Sequence, residues 1–378
     1  MKVTLISEAV WPERKGGLER WYDAISKYLA GNGHEVVFLN STSVTEHRNG
    51  VQFLSVSNES WQYIGDGKRS KLQALKFGIS IFRWLRKQDR QVVYCSSVPI
   101  ISVLAAALVP KKTLIIEWFE IWTLQYWIRY SGIFMGFVGW LIQLIALQVG
   151  DYRLVYSERG LKSVKRLGRL NRRRIEKMPG LCPSEEPQAV LQVKEKRDDF
   201  YFLGRFVSEK QPLLAIKLVE KFRETGWKGQ LWLLGTGPLH LDLLKYIETN
   251  QLQHYVKVIE NPEDGEVLRV MNQCCALLHL SRREGFGLAP VEAAYRGLPT
   301  ILIDYFDNAA VELGICPALI ARGDSFSELI SKMKLALANH DKYRLETLAW
   351  SESARKNKSI DTTLKRIEEI VKSGAEIV

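Results

Sequence analysis

The sequence predicts an α/β fold built from two doubly wound domains. Short apolar runs alternate with longer helical patterns along the whole chain, which is typical of parallel βαβ units. The 378 residues suit two domains at roughly 100–200 residues each. The content of 46% hydrophobic and 25% charged residues excludes a disordered chain. Ligands of such sheets bind outside the carboxyl ends of the strands, so we expect the two domains to face a cleft there.

Each apolar run is a candidate strand. In the first half the runs are Val3–Ala9, Glu35–Asn40, Val51–Val56, Val92–Ser97, Thr113–Trp118 and Tyr152–Ser157, with helical patterns such as Leu18–Gly31 and Leu72–Arg86 between them. In the second half they are Phe200–Gly204, Gln230–Gly235, Val256–Glu260, Ala276–Ser281, Thr300–Asp304 and Ala318–Ala321. The polar stretch Pro179–Asp199 lacks a strong period and predicts the linker. We therefore assign residues 1–185 to the first domain and 195–349 to the second.

Composition restricts the partners and the compartment. The 53 Lys and Arg against 42 Asp and Glu give a net charge of +11, which favours an anionic partner. No nucleic-acid recognition module is visible, so nucleic acid is not expected to be that partner. The five cysteines are scattered without metal-ligand spacing, and the first residues lack the features of a signal peptide. Both observations favour a reducing, cytoplasmic compartment.

The segment Ser281–Gly297 is the strongest candidate for a binding site. A strand ends there, a Gly-Phe-Gly loop follows, and a helix is predicted to begin near Leu288. Glu284 lies in the loop, where its carboxylate could accept hydrogen bonds from sugar hydroxyls while the helix amides face a phosphate. Glu292, eight positions later, could hold a ribose diol. The alternative is that both glutamates only favour the helix N-terminus.

Cations and glycines follow other strands. Arg205 and Lys210 lie five positions apart after the strand that ends at Gly204, so both could converge on a diphosphate. The alternative is two solvated surface cations.

Two glycine pairs stand at strand-to-helix turns. Gly16 and Gly17 follow the first strand, and Gly235 and Gly237 follow a later one. Each pair fits either a steric requirement of a tight turn or a close approach to a ligand.

Together these segments resemble glycosyltransferase family 4, whose retaining enzymes have the GT-B fold and use nucleotide sugars. The resemblance rests on GRFVSEK, GTGP, EGFGLAPVEAAYRGLPTI and DNAAVEL, with the Glu-x7-Glu element from Glu284 to Glu292 as its characteristic motif. It implies two Rossmann-like domains, with C-terminal helices, here about residues 350–378, that cross back to the first domain.

The resemblance also implies roles for individual residues. Gly17 would contact the donor phosphates, while Arg205 and Lys210 would neutralise the diphosphate. Glu284 would bind donor-sugar hydroxyls, and Glu292 would bind the ribose.

Three residues of the same loop would contribute backbone amides: Phe286, Gly287 and Leu288. Two cations and helix amides would then stabilise the leaving diphosphate. The sequence has no Asp-x-Asp of the kind that metal-dependent transferases use, so we expect no metal and no cofactor beyond the donor substrate.

The sequence departs from the family at one position. Relatives often have a Trp-His-Glu-like segment with the histidine near the sugar, but here Phe119 stands where His is expected. Phenylalanine cannot transfer a proton, so that role is either absent or taken by Glu117 or Glu120. Alternatively the segment packs in the core and Glu120 caps the next helix. A changed acceptor, weaker catalysis or a partner subunit without turnover all stay open.

Several features favour contact with an anionic membrane. Arg69–Arg90 is a basic amphipathic pattern, and Lys162–Lys177 contains eight cations. Ile133–Val149 is almost free of charge, and four of the eleven tryptophans fall around this region. Its 17 residues are at the lower limit for spanning a bilayer, so we interpret it as a helix that is buried or lies in a membrane interface. The alternative is that such helices pack on the sheet and the charges are merely solvated.

The resulting hypothesis is a retaining transferase that moves a sugar from a nucleotide-diphosphate sugar to a hydroxyl acceptor. A glycan or lipid-linked acceptor at the inner face of the cell membrane is expected, as in envelope or exopolysaccharide synthesis. One alternative is a non-catalytic interaction subunit with the same fold. Another is a sugar-nucleotide epimerase or a phosphorylase.

Overall fold

The computed structural model describes residues 1–14, 16–57, 70–89, 91–110, 112–171, 173–188 and 198–377. The chain divides into two compact units, unit 1 with Met1–Pro179 and Asp361–Val378, and unit 2 with Gly180–Ile360. Each unit is an α/β domain with a parallel sheet, which confirms the predicted fold class.

Unit 1 is built from alternating strands and helices. Its strands are β1 (Lys2–Ile6), β2 (Glu35–Asn40), β3 (Glu46–Arg48), β4 (Val51–Ser55), β5 (Gln91–Ser96), β6 (Lys112–Trp118), β7 (Tyr152–Val155) and β8 (Arg174–Lys177). Its helices are α1 (Gly17–Gly31), α2 (Lys71–Leu85), α3 (Ile100–Ala107), α4 (Leu124–Ser131), α5 (Ile133–Ala146), α6 (Glu158–Leu167) and, at the end of the chain, α13 (Ile360–Ile377).

The sheet of unit 1 has the order β3-β4-β2-β1-β5-β6-β7-β8 in the described part of the chain. All neighbours pair in parallel except the edge pair β3 and β4. The chain begins at β1 in the middle, builds one side of the sheet, and then crosses to β5 on the other side. The central strands are buried on both faces, as expected for a sheet covered by helices.

The chain returns to unit 1 through α13 alone. The Thr113 hydroxyl donates to the Gly374 carbonyl at 2.6 Å, and a Cβ at Gly374 would lie 2.8 Å from the Thr113 side chain. Arg366 pairs with Glu176 on β8. The predicted returning segment, residues 350–378, therefore consists of two parts, because residues 350–357 belong to a separate helix of unit 2.

Unit 2 follows the same plan. Its strands are β9 (Asp199–Leu203), β10 (Leu231–Gly235), β11 (Val256–Glu260), β12 (Cys274–His279), β13 (Arg283–Glu284), β14 (Thr300–Ile303), β15 (Asp307–Asn308) and β16 (Ile320–Ala321). Its helices are α7 (Pro212–Arg223), α8 (His240–Thr249), α9 (Asp264–Met271), α10 (Leu288–Tyr295), α11 (Phe326–Ala338) and α12 (His340–Asn357).

The main sheet of unit 2 has the order β11-β10-β9-β12-β14-β16 among the described residues, while β13 pairs with β15. Unit 2 begins at Gly180, a few residues before the predicted boundary. Two contacts connect this start to the rest of unit 2. Cys182 and Ser359 form an isolated parallel β-bridge, and the Tyr295 hydroxyl donates a hydrogen bond to the Pro183 carbonyl at 2.7 Å. These contacts explain why the division falls before residue 185.

The predicted apolar helix forms α5. It is neither fully buried nor long: Gly136, Gln143 and Ala146 are buried, whereas Phe134 and Ile145 are exposed. Across the portion of the chain with described structure, every helix falls short of the length or the apolar content that crossing a membrane requires.

Candidate functional site

The candidate site of unit 2 lies at the carboxyl edge of its sheet, where β9 and β12 are neighbours. The chain enters the sheet at β9, adds β10 and β11 on one side, and then crosses to β12 on the other. Such a reversal opens a crevice at the carboxyl ends of the two central strands. Arg205 and Lys210 follow β9, and Glu284 follows β12. The topology therefore places both predicted segments at the crevice.

Glu284 is held by two basic side chains. Lys210 Nζ donates a hydrogen bond to Glu284 Oε1, and His279 Nε2 lies 3.0 Å from the same oxygen. Burial raises the pKa of Glu284, but the charge of Lys210 and the nearby His279 outweigh it and hold that pKa well below its usual value. Glu284 is therefore an ionised carboxylate in a fixed orientation. Such specific partners exceed what a general preference for a helix N-terminus would require.

Sequence reasoning missed His279. It is the last residue of β12, a strand whose residues are all buried, and it is only 4% exposed. The sequence pattern predicts His279 only as the end of an apolar strand. The available signal was a single imidazole at the carboxyl end of an otherwise apolar strand, five positions before Glu284.

Arg205 and Lys210 stand at the two ends of the loop that follows β9. Arg205 is exposed directly after Gly204, while Lys210 is partly buried against Glu284. The Phe206 amide donates to the Thr236 carbonyl at 2.8 Å, so the loops after β9 and β10 are in contact. Convergence of both cations on a diphosphate stays a prediction.

Gly235 and Gly237 have a steric explanation. A Cβ at Gly235 would lie 1.9 Å from the Gly204 carbonyl oxygen, and one at Gly237 would lie 2.6 Å from the Phe206 carbonyl oxygen. No side chain fits at either position without moving the backbone of the neighbouring loop. Packing alone accounts for both glycines, and ligand contact by them stays a prediction.

The Gly-Phe-Gly loop leads directly into α10. Phe286 is buried, and Gly287 adopts a φ of 103° where a Cβ would lie 2.7 Å from the Ala310 Cβ. Leu288 is the first residue of α10, as predicted. The amides of Leu288 and its neighbours face out of the N-terminus of the helix, an environment that favours anions.

The second glutamate of the motif lies farther along the same helix. Glu292 occupies the second turn of α10 beside β9, close enough that its charge, after burial and Cys274, contributes to the raised pKa of Tyr201. The first glutamate, Glu284, pairs in register with Asn308 of the DNAAVEL segment. The structure thus brings the loop of Glu284 and the DNAAVEL segment together.

In unit 1, the predicted glycines begin α1. Gly16 is the N-cap and Gly17 the first residue of α1, the helix that follows β1 at the reversal of that sheet. Glu19 lies in the first turn, and a Cβ at Gly16 would meet its carboxylate. The Glu19 carboxylate therefore lies where the resemblance predicts a donor phosphate, and this side chain has to move before a phosphate can bind there.

The segment after β6 is largely structural. Glu117 is fully buried, and the Phe119 ring stacks on Tyr156 with centroids 4.7 Å apart and planes 3° apart. Glu120 Oε2 accepts a hydrogen bond from Trp122 Nε1 at 3.2 Å. The expectation that Glu120 caps the next helix is wrong, because Thr123 caps α4 through its hydroxyl.

Comparisons with known proteins agree with this geometry. Residues 183–357 match the family model described as glycosyl transferases group 1. This range of the chain is therefore similar to group 1 glycosyl transferases. The matched range lies within unit 2 and includes Arg205, Lys210, His279, Glu284 and Glu292. A comparison with curated protein sequences finds no match.

Solved structures resemble the whole chain and not only the range that the family model matches. Sucrose-phosphate synthase from Thermosynechococcus elongatus is 15% identical over 98% of both chains, with a TM-score of 0.81. HepE from Anabaena in complex with UDP-glucose is 13% identical over 99% of this chain and 100% of its own, with a TM-score of 0.74. WaaG, a glycosyltransferase involved in lipopolysaccharide biosynthesis, is 16% identical over 98% of this chain and 99% of its own, with a TM-score of 0.69.

These likenesses establish the fold. The predicted resemblance to GT-B glycosyltransferases is confirmed, and membership of family 4 stays a prediction. Among the residues that the structure describes, no cluster of three or more His, Cys, Asp or Glu is placed to hold a metal ion.

Proposed function

We propose that this chain is a retaining glycosyltransferase that moves a hexose-type sugar from a nucleotide-diphosphate sugar to a hydroxyl acceptor. The observation that supports it most is the cluster of Lys210, His279 and Glu284 at the β9/β12 crevice. This cluster combines an ionised carboxylate, suited to sugar hydroxyls, with a lysine, suited to a phosphate.

The reaction breaks the bond between the sugar C1 and the diphosphate oxygen, and forms a bond from C1 to the acceptor oxygen. Negative charge develops on the leaving diphosphate, where Arg205, Lys210 and the first amides of α10 would stabilise it. In a retaining reaction of this kind, the acceptor attacks from the face that the diphosphate leaves. The leaving phosphate then takes the proton of the acceptor hydroxyl, so no carboxylate nucleophile is required.

The donor is proposed to be a nucleotide sugar, used without a metal or another cofactor. A structural relative, HepE, has been solved in complex with UDP-glucose and with UDP and glucose. In our proposal Glu292 holds the ribose, Glu284 holds the donor sugar, and the amides around Phe286, Gly287 and Leu288 face the diphosphate. Insensitivity of the turnover to a metal chelator is the expected result.

The acceptor is proposed to be a glycan or a lipid-linked sugar at the inner face of the cell membrane. The net charge of +11 supports an anionic surface as a partner. In the described part of the predicted basic helix, Leu72, Leu75 and Ile79 are exposed on α2, while its other apolar face packs on the core. The exposed face of α2 therefore fits the membrane interpretation, and its buried face fits the packing interpretation.

Two measurements test the proposed function. A thermal-shift screen of nucleotide sugars should raise the unfolding midpoint for the correct donor, because a ligand that binds only the folded state stabilises it. Arg205→Ala and Glu284→Ala should each lower donor turnover about tenfold or more, the scale of losing a charge-stabilising contact. Glu120→Ala is the comparison variant for the rival base position in unit 1. The proposal is contradicted if the chain binds no nucleotide sugar, or if neither Arg205→Ala nor Glu284→Ala lowers the turnover.

One observation favours a second candidate, a non-catalytic interaction subunit. Phe119 stands where a histidine is expected. Its phenyl ring, which is stacked on Tyr156, cannot transfer a proton. This candidate predicts donor binding without transfer. Transfer of a labelled sugar to a membrane extract distinguishes the two, because only the first candidate yields labelled product.

A further inference from the structure

Helix α5 presents a continuous apolar stripe to solvent. Phe134, Phe137, Leu141 and Ile145 are 77%, 46%, 40% and 57% exposed. Their spacing of three or four residues places all of them on one face of the helix. Isolated exposed apolar residues are common on protein surfaces, but a whole helix face is not.

The opposite face of α5 is fixed by close packing against α4. A Cβ at Gly136 would lie 2.5 Å from the Ile128 Cα, and one at Gly139 would lie 2.6 Å from the Trp127 ring. Gln143 Nε2 donates to the Trp122 carbonyl at 2.8 Å, and its Oε1 accepts from the Trp122 amide at 2.9 Å. The helix therefore cannot rotate to bury its stripe without losing these contacts.

Charge is distributed in a one-sided way around this hairpin. From residue 121 to residue 150 the sequence contains no Asp or Glu, and Arg129 is its only charged residue. Gln148 Nε2 donates to the Leu167 carbonyl at 2.7 Å, which joins the end of α5 to the end of α6. There Leu170 is 78% exposed. The exposed cations on and just after α6 are Lys162, Lys165, Arg166 and Arg169.

We propose that the α4–α5 hairpin inserts its apolar stripe into the headgroup and acyl-chain boundary of an anionic bilayer, with the α6 cations on the headgroups. The 14 residues of α5 are about 21 Å long, too short to cross a hydrocarbon core of about 30 Å. The helix therefore lies in the plane of the interface. Trp127 of α4 and Trp122, which precedes that helix, have ring centroids 4.6 Å apart and suit the same depth.

Charge decides between a membrane and a second copy of the chain. Two copies that covered the stripe would bring their own cationic α6 regions close together, which is unfavourable. An anionic lipid surface complements the stripe and the cations at once. This inference deepens the membrane partner proposed above and rests on it, but it does not depend on sugar transfer.

The test uses the full chain and two double variants matched for exposure. Phe134→Ser with Phe137→Ser removes half of the stripe, and Leu241→Ser with Leu244→Ser removes comparable exposed side chains from α8 of unit 2. Co-sedimentation with vesicles containing about one third anionic lipid measures binding. We expect the α5 variant to bind at least about tenfold more weakly and the α8 variant to change less than about threefold. Lys165→Gln with Arg166→Gln should weaken binding to anionic vesicles only.

A second measurement reports insertion directly. The five native cysteines are buried, so an environment-sensitive dye can be attached selectively to Phe134→Cys or to Leu241→Cys. Addition of vesicles should shift the emission of the α5 dye to the blue and leave the α8 dye nearly unchanged. Equal binding by the α5 variant, or no shift at Phe134→Cys, overturns the inference. A wild-type dimer that the α5 substitutions abolish, without vesicle binding, overturns it in favour of a second copy.

Donor binding separates this inference from the proposed function. The thermal shift produced by the nucleotide sugar is measured on the same variants, and it should be unchanged by the α5 substitutions. Vesicle binding without any donor response contradicts only the proposed function. A donor response without vesicle binding contradicts only the membrane inference.

Discussion

Two glutamates, one at the carboxyl edge of each sheet, have opposite environments. In unit 1, Glu117 Oε1 accepts hydrogen bonds from Trp21 Nε1 at 2.8 Å, from the Tyr94 hydroxyl at 2.9 Å and from the Tyr156 hydroxyl. Burial raises the pKa of Glu117 despite these donors. In unit 2, Lys210 and His279 outweigh burial and lower the pKa of Glu284.

The difference shows that residue type and place in the fold do not settle the role of a carboxylate. Uncharged aromatic donors around Glu117 satisfy one oxygen and join α1 to the strands β5 and β6. Lys210 and His279 beside Glu284 lower its pKa and keep it charged at the crevice. The arrangement favours an architectural role for Glu117 and a binding role for Glu284, and each prediction below probes that contrast.

The largest expected effect is on the stability of unit 1. Glu117→Leu leaves three buried donors without an acceptor, at about 1–3 kcal/mol for each unsatisfied group. We expect a loss of at least about 3 kcal/mol in the free energy of unfolding, measured by calorimetry of the full chain. Glu117→Gln keeps an acceptor oxygen and should lose much less. A Leu variant as stable as the wild type would show that these hydrogen bonds contribute nothing.

The two glutamates should also give stability opposite dependences on pH. The pKa of Glu284 is lower in the folded chain than its usual 4.5, so its contribution is present above pH 4.5 and is lost as the pH falls further. The pKa of Glu117 is raised, so its contribution is full below pH 4.5 and is lost as the pH rises through the folded value.

Unfolding midpoints measured from about pH 3 to about pH 7 test this contrast. At neutral pH the unfolding midpoint of Glu284→Gln should lie below that of the wild type, and this difference should shrink as the pH falls. The midpoint of Glu117→Gln should rise relative to that of the wild type as the pH increases toward neutral. Parallel pH profiles for the two variants would contradict the assigned directions.

The fold was largely predictable because parallel βαβ units leave a strong apolar pattern. The elements that escaped prediction are edge strands such as β3 (Glu46–Arg48) and β8 (Arg174–Lys177), which are polar and only partly buried. The predicted basic stretch Lys162–Lys177 actually contains the end of α6, a turn and β8. Arg69, Arg90 and Arg172, which belong to the predicted basic stretches, lie outside the described residues.

The candidate site was predictable residue by residue but not as a set of contacts. Lys210 and Glu284 were each expected to meet a donor, yet they pair with one another across 74 positions of sequence. That contact depends on the strand order that makes β9 and β12 neighbours, which local patterns do not encode. His279 was missed for the same reason, because its partner is decided by where β12 ends.

His279 should affect donor affinity more than it affects the chemical step. In the proposed reaction Lys210 would turn to the diphosphate and leave His279, 3.0 Å from Glu284 Oε1, as the side chain that orients this carboxylate. His279→Leu should therefore raise the donor KM about tenfold, the scale of losing one polar contact to a charged group. The change in kcat should be smaller, and the acid limb of kcat/KM should move to higher pH.

His279→Gln provides the matched comparison, since its amide can donate to the same oxygen. It should recover most of the donor affinity that the Leu variant loses. If both variants fold normally and bind the donor like the wild type, His279 does not position Glu284.

The smallest expected effect concerns Phe119. Its stacking on Tyr156 contributes about 1 kcal/mol, so Phe119→Leu should lower the stability of unit 1 by about that amount and leave the donor-induced thermal shift unchanged. Phe119→His keeps a flat ring on Tyr156 and introduces the side chain that the family resemblance predicts near the sugar. If the chain is already an active transferase, this variant should change transfer by less than about threefold. A transferase activity that only Phe119→His confers would instead assign the wild-type chain to the non-catalytic candidate, because its donor site in unit 2 would be complete while proton transfer in unit 1 was missing.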